Sequence, residues 1–156
     1  MGRVAQNYAP ATWETYLVSG SYPRRIVQDI DPASFYDSYL QTYVERDVRQ
    51  TKNILNLRLF QRFIQLLAGR VGQLFNQQSF AVELGVDNKT VNAWLSVLET
   101  SFIAYRLQPY YQNFSRRIVK TPKVYFYDTG LAAYLLGIRS VADLPFISHG
   151  DRCLRT

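Results

Sequence analysis

The sequence predicts a mainly α fold of the α+β class, with a helical segment packed on a helix-turn-helix unit that ends in a β-hairpin. Three observations lead there. Apolar residues recur at three- and four-residue steps along residues 32–52 and 57–68, the period of a helix with one buried face. Residues 79–99, SFAVELGVDNKTVNAWLSVLE, place one glycine between two apolar helical stripes. Two aromatic and β-branched runs, 102–111 and 122–127, flank a polar and basic connection, which is the pattern of a hairpin.

The elements follow in order. Residues 13–27 mix Tyr16, Leu17, Tyr22 and Ile26 around Gly20-Ser21-Tyr22-Pro23, predicting a short helix, a turn and a lead-in. Asp31-Pro32 supplies an N-cap and a proline at the first helical position, where a missing N–H costs nothing. A long helix is expected from Pro32 to about Lys52, with Phe35, Tyr36, Tyr39, Leu40, Tyr43, Val44 and Val48 as its stripe. The next is expected over 57–68, burying Leu59, Phe60, Phe63, Ile64 and Leu67, with Gly69 and Gly72 bracketing its end. Within 79–99, Ala81 lets two helices approach, Gly85 ends the first in a left-handed conformation, and Asp87 caps the second. Val91, Trp94, Leu95 and Leu98 then face inward, with Trp94 at the centre of the core. A helix-turn-helix followed by a hairpin makes a winged helix. Asp128 or Thr129 caps a closing helix over 131–136.

The domain organisation expected is a helical segment over 1–78, a winged helix with its closing helix over 79–138, and a tail over 139–156. The 156 residues are 47% hydrophobic and 19% charged, enough apolar surface for an unaided core and too little charge for a disordered chain. One cysteine, Cys153, and one histidine, His149, cannot build a disulfide framework, structural zinc or a multi-histidine metal site. No Gly-x-x-x-x-Gly-Lys-Ser/Thr loop is present, so the chain is not expected to hydrolyse nucleotides. No eighteen-residue apolar run or charged-then-apolar leader occurs, so a cytoplasmic location without a membrane partner is expected.

Charge points to a polyanion. The net charge is +6, and its distribution says more than its size. Residues 1–78 carry nine basic and six acidic side chains, 79–99 one and three, 100–127 five and none, and 128–156 three and three. The positive field is therefore concentrated in the hairpin. Arg106, Arg116, Arg117, Lys120 and Lys123 form the expected phosphate footprint of a wing. Asn88, Lys89, Asn92 and Ser96 lie on the outer face of the second helix, the position from which a recognition helix reads a major groove. Two other readings stand beside this one. The hairpin charges can simply keep an aromatic edge strand soluble, and the net acidic helix pair can serve as a protein-contact module.

Other candidate chemistry is sparse. Glu45 and Asp47 stand two residues apart on a helix and do not face each other, so they make a poor acid/base pair; a salt-bridge cluster with Arg46 and Arg49 is the simpler role. Convergence of Glu45, Asp47 and Asp128 into a metal site is the rival. Most of the twelve tyrosines fall on apolar stripes, with Tyr110, Tyr111 and Phe114 the candidates for base stacking. The tyrosine-rich N-terminal helices also offer a surface for another module or a second copy of the chain.

Gly20-Ser21-Tyr22-Pro23, residues 39–48 (YLQTYVERDV), residues 67–74 (LAGRVGQL), the helix-turn-helix and residues 120–132 (KTPKVYFYDTGLA) together resemble the C-terminal domain of unknown function of prokaryotic AAA-type ATP-binding proteins. The resemblance spans residues 13–138. It implies a parent with an N-terminal P-loop ATPase that uses ATP and magnesium, then a helical segment, a winged helix, and a lobe similar to PD-(D/E)XK nucleases. This chain departs from that pattern by lacking the phosphate loop and the nuclease-like lobe, and by Ser21 where two glycines are usual. It is accordingly expected to be a non-catalytic fragment that engages DNA, its own ATPase module, another protein or a second copy.

Overall fold

A computed structural model describes residues 12–48, 56–109 and 121–147, the side chains of 45–47 and 145–147 excepted. Helix α1, Trp13–Ser19, starts where the Thr12 hydroxyl accepts from the Thr15 N–H, and ends at Gly20, whose φ of 68° lies in the left-handed region. The expected lead-in is itself a short helix, α2 (Pro23–Val27), because Pro23 supplies the fixed φ of a first helical residue. Asp31 caps α3, Pro32–Thr42, by accepting from the Ser34 N–H at 3.0 Å.

The expected helix to Lys52 differs from this arrangement. The α geometry stops at Thr42 and continues as a π-helical segment, Tyr43–Val48; residues 49–55 lie outside the described ones. Burial supplies a physical reason. Tyr43 and Val48 are both buried, and a spacing of five residues puts side chains well apart at 3.6 residues per turn but close to one turn apart in a π-helix.

Helix α4 spans Leu57–Ala68 as the stripe predicts, capped by the Asn56 side chain. Phe60, Phe63, Ile64 and Leu67 are buried and Leu59 packs partly buried against them. Helix α5 covers Gln77–Leu84, two residues longer at its start than expected because Asn76 accepts from the Ser79 N–H. Gly85 follows with φ 67° and ψ 35°, and the Val86 N–H bonds to the Ala81 carbonyl at 3.0 Å, a left-handed helix stop. Asp87 then caps α6, Asn88–Thr100, through the Thr90 N–H at 2.6 Å.

The strands are shorter than expected. β1 is Ala104–Leu107 and β2 is Lys123–Phe126, antiparallel, with Ala104 opposite Phe126 and Leu107 opposite Lys123. Phe102 cannot begin the first strand, since its φ is 54° and it lies in the turn that follows α6. The expected strand end at Tyr110 and Tyr111, and the hairpin tip, lie outside the described residues. A pairing not anticipated from the sequence joins Leu74 to Lys123, with the Gly72 N–H bonding to the Val124 carbonyl and the Phe75 N–H to the Pro122 carbonyl. Asp128 caps α7, Thr129–Leu135, and a 3₁₀ segment, Val141–Ile147, follows.

One hydrophobic cluster runs from Phe35 to Leu131 and draws on residues from both sides of position 78. Trp94 is 6% exposed and meets Phe60 edge to face at 5.8 Å, with Phe63 at 5.7 Å. Phe60 and Phe63 are fully buried, so truncating either to alanine costs about 3–5 kcal/mol. Tyr36 and Tyr43 are likewise buried, with Tyr39 packed against the same cluster. This core holds α6 and the hairpin as one unit, which sets the position of the outer residues described next.

Candidate functional site

The outer face of α6 and the adjoining ribbon bring five expected site residues into one neighbourhood. Asn88 and Lys89 are exposed in the first turn of α6, and Asn92 one turn on. Asn88 is tied to α5, since its side-chain amide donates to Gln78 Oε1 at 2.6 Å and its carbonyl accepts from the Gln77 side chain. Asn92 Oδ1 accepts from Arg106 Nη1 at 3.2 Å. Ser96 is half-buried, and its hydroxyl donates back to the Asn92 carbonyl at 3.0 Å, as helical serines often do.

Arg106 is not a free cation. Its Nε and Nη2 donate to the two Glu99 carboxylate oxygens at 2.8 and 2.6 Å, and its backbone N–H donates to Glu99 Oε1 at 3.2 Å. This fork-to-carboxylate pairing holds the Glu99 carboxyl below the usual range and raises the guanidinium, each mainly through the side-chain hydrogen bond. Both side chains keep more than a quarter of their surface exposed, so the pair contributes only about 0.2–1 kcal/mol. Its larger effect is to fasten β1 to the end of α6. Lys123 is exposed on β2, opposite Leu107. Arg116, Arg117 and Lys120, with Tyr110, Tyr111 and Phe114, lie outside the described residues. Lys89 and Lys123 are the exposed cations among the six expected positions that are described.

A second constellation was only half legible. Asp128 was expected as a cap, and its Oδ1 accepts from the Leu131 N–H at 2.8 Å. It also receives the Tyr36 hydroxyl at 2.6 Å and, on Oδ2, the Ser21 N–H at 2.7 Å and Ser21 hydroxyl at 3.1 Å. Asp128 is 5% exposed, and its carboxylate joins three distant stretches of chain. Gly20 and Gly130 make room for it. A Cβ on Gly20 would stand 1.8 Å from the Tyr36 hydroxyl, and one on Gly130 would stand 2.3 Å from the same atom. Burial, aided by the Asp128 hydrogen bond, pushes the Tyr36 phenol far above its ordinary value. With both carboxylate oxygens hydrogen-bonded to separate stretches of chain, the constellation reads as a structural clamp.

A groove of 610 Å³ between α3, α4 and α7 is lined by side chains including Leu40, Gln61 and Gln65. Its acid, Asp37, is tied by the Tyr134 hydroxyl at 2.9 Å and the Gln41 amide at 3.1 Å. Among the described residues no three His, Cys, Asp or Glu side chains gather as a metal site; the Glu45 and Asp47 side chains fall outside them. No helix among those residues is long and apolar enough to cross a membrane.

Residues 10–142 match the family described as "Domain of unknown function (DUF8612)", and the chain belongs to that family. It is also 34% identical over 108 residues, 69% of this chain, to the uncharacterized protein Mb2031c of Mycobacterium bovis and to the uncharacterized protein Rv2008c of Mycobacterium tuberculosis. In each case the match covers 24% of the relative, so the chain spans about a quarter of their length. No solved structure matches it.

Proposed function

We propose that this DUF8612 domain is a winged helix that holds duplex DNA through a basic wing, and that it acts as the non-catalytic, target-engaging part of an AAA-type ATP-binding protein. One observation carries the reading. The Leu74–Lys123 pairing inserts a strand-like position between α4 and α5, giving the order helix, bridge, helix, helix, strand, strand. That order supports a winged helix, with residues 108–122 as the wing between β1 and β2.

The charge supplies the ligand class. Arg116, Arg117, Lys120 and Lys123 fall within or beside the wing, and no acid occurs between residues 100 and 127. Phosphate neutralisation by such a group gives affinity with little sequence preference. Lys89 and the tied amides of Asn88 and Asn92 add limited base contact. Arg106 drops out of the footprint because Glu99 already neutralises it.

Docking on an ATPase module, another protein or a second copy is the second reading, favoured by the internal engagement of Asn88, Asn92 and Arg106. A fluorescence-anisotropy titration against random duplex DNA at several salt concentrations separates the two. Four phosphate contacts give a log-log slope of about −3.6, taking roughly −0.9 for each. Absence of binding at about 50 mM salt, where phosphate contacts are strongest, rejects the DNA reading and leaves the docking module.

A further inference from the structure

The outward face of the β1–β2 ribbon carries a continuous aromatic surface. Phe102 meets Tyr127 at 5.9 Å between ring centroids, Tyr127 meets Tyr105 at 4.9 Å, and Tyr105 stacks on Tyr125 at 5.8 Å. Tyr105 and Tyr125 are paired across the strands and half-buried. They form the backing. Phe102 and Tyr127 stand out from it, 71% and 54% exposed. Beside them opens a recess of 240 Å³ bounded by Ser21, Tyr22, Pro23, Phe102, Tyr127 and Asp128.

Phe102 is placed at a double cost. Its φ is 54°, and it follows α6 at the left-handed helix stop, where the Ile103 N–H reaches back to the Leu98 carbonyl at 2.9 Å. Glycine fits that position most cheaply. Here it holds a large apolar ring in water instead. Folding gains little from this choice beyond the ring contact with Tyr127, and strain kept together with exposed apolar surface marks a contact site.

We infer that this aromatic face is a stacking platform for the unpaired bases of single-stranded DNA, with Phe102 and Tyr127 receiving base faces and Lys123 meeting the phosphates. Charge decides the occupant. The surface belongs to a stretch, residues 100–127, with no acid and with four basic side chains besides the Glu99-paired Arg106. Its neighbour Glu99 is neutralised by Arg106, and the Asp128 carboxylate is buried and hydrogen-bonded. A face that combines open rings with the exposed Lys123 matches a strand of stacked bases and phosphates, whereas an apolar protein partner would leave that cation unpaired. The inference extends the nucleic-acid reading above, rests on it for the sign of the field and shares Lys123 with it, but its rings, Phe102 and Tyr127, are not among the wing residues.

The test titrates a fluorescein-labelled oligothymidylate, and separately random duplex DNA, with the 156-residue chain, Phe102→Gly, Tyr127→Ala and Arg116→Glu/Arg117→Glu. Both ring variants are expected to bind oligothymidylate at least about fivefold more weakly, the low end of base–aromatic stacking, and duplex DNA within about twofold of the parent. Phe102→Gly is also expected to melt no lower than the parent, because it removes a left-handed phenylalanine; a loss of binding at full stability then belongs to the ring. Oligothymidylate binding unchanged in both ring variants overturns the inference, and duplex binding that persists leaves the wing reading standing. Ring variants that fail on oligothymidylate while the charge reversal leaves duplex binding intact support the platform and overturn the wing. Binding to neither nucleic acid overturns both, and self-association abolished by Phe102→Gly without any oligothymidylate binding overturns the platform.

Discussion

Replacing Asp128 by asparagine isolates the clamp from ordinary helix capping. Asparagine and aspartate are about equally good N-caps, so Asp87→Asn at the exposed cap of α6 is expected to cost less than about 0.5 kcal/mol. Asp128 differs in having both carboxylate oxygens occupied, Oδ1 by Tyr36 and the Leu131 N–H, Oδ2 by the Ser21 N–H and hydroxyl. The asparagine amide can replace only one oxygen. The hydroxyls can turn to accept, but the amide NH₂ then faces a backbone N–H, that of Ser21 or that of Leu131. One stranded donor costs about 1–3 kcal/mol, and losing the charge weakens the remaining bonds by about 1 kcal/mol or more. A total near 3 kcal/mol is expected, or roughly 6–12 °C in Tm for a chain of this size. Urea unfolding followed by tryptophan fluorescence and far-UV circular dichroism measures it. A double-mutant cycle with Tyr36→Phe is expected to return a coupling of at least about 1 kcal/mol. Equal costs for Asp128→Asn and Asp87→Asn would refute the claim that this carboxylate ties distant segments together.

Three further outcomes are expected. Gly85→Ala is expected to lose about 1 kcal/mol, since φ is 67° but nothing lies within 4 Å of an added Cβ; Gly20→Ala drives its Cβ into the Tyr36 hydroxyl and Asp128, and is expected to lose several times more by thermal melting. Glu99→Gln unties Arg106 and is expected to tighten duplex binding and steepen the salt slope by about one, read by anisotropy; an unchanged slope keeps Arg106 out of the interface. Asp31, Asp87, Asp143 and Glu99 all titrate below their ordinary values, the first three through backbone or side-chain hydrogen bonds to Ser34, Thr90, Arg139 and Ser140, and Glu99 through Arg106. A lowered folded pKa stabilises above the unfolded value and is lost as pH falls through the folded one, so the urea midpoint is expected to stay level down to about pH 5 and fall below about 4.5; a midpoint that rises on acidification contradicts this.

What could be read from the sequence was local. Caps at Asp31, Asp87 and Asp128, the stop at Gly85 and the buried stripe of α4 each depend on residues within one or two turns, and the structure has them in place. Contacts between distant residues left little trace. Tyr36 and Asp128 are 92 positions apart, and no local pattern links them. The Leu74 bridge is a single pair, too short for a strand signal. Tyr43 and Val48 are buried as the stripe predicts, but the change from α to π geometry that carries both left no local signal. Glu99 was within reach of sequence reasoning, since it stands seven residues before Arg106; dividing the charge count between residues 99 and 100 separated the two partners. Phe102 read as strand because aromatic content outweighed its place just after a helix.

The central claim is that the wing holds duplex DNA by its phosphates, and charge reversal at the wing tests it most directly. Anisotropy titrations of a labelled random duplex, from about 50 to 200 mM salt, compare the parent chain with Arg116→Glu/Arg117→Glu. The parent is expected to bind with a slope near −3.6, set by about four phosphate contacts. The double reversal removes two of these and adds repulsion, so binding is expected to vanish at 200 mM salt and the slope to fall by at least about 1.8. A reversed variant that binds with the parent's affinity and the parent's slope would contradict the account.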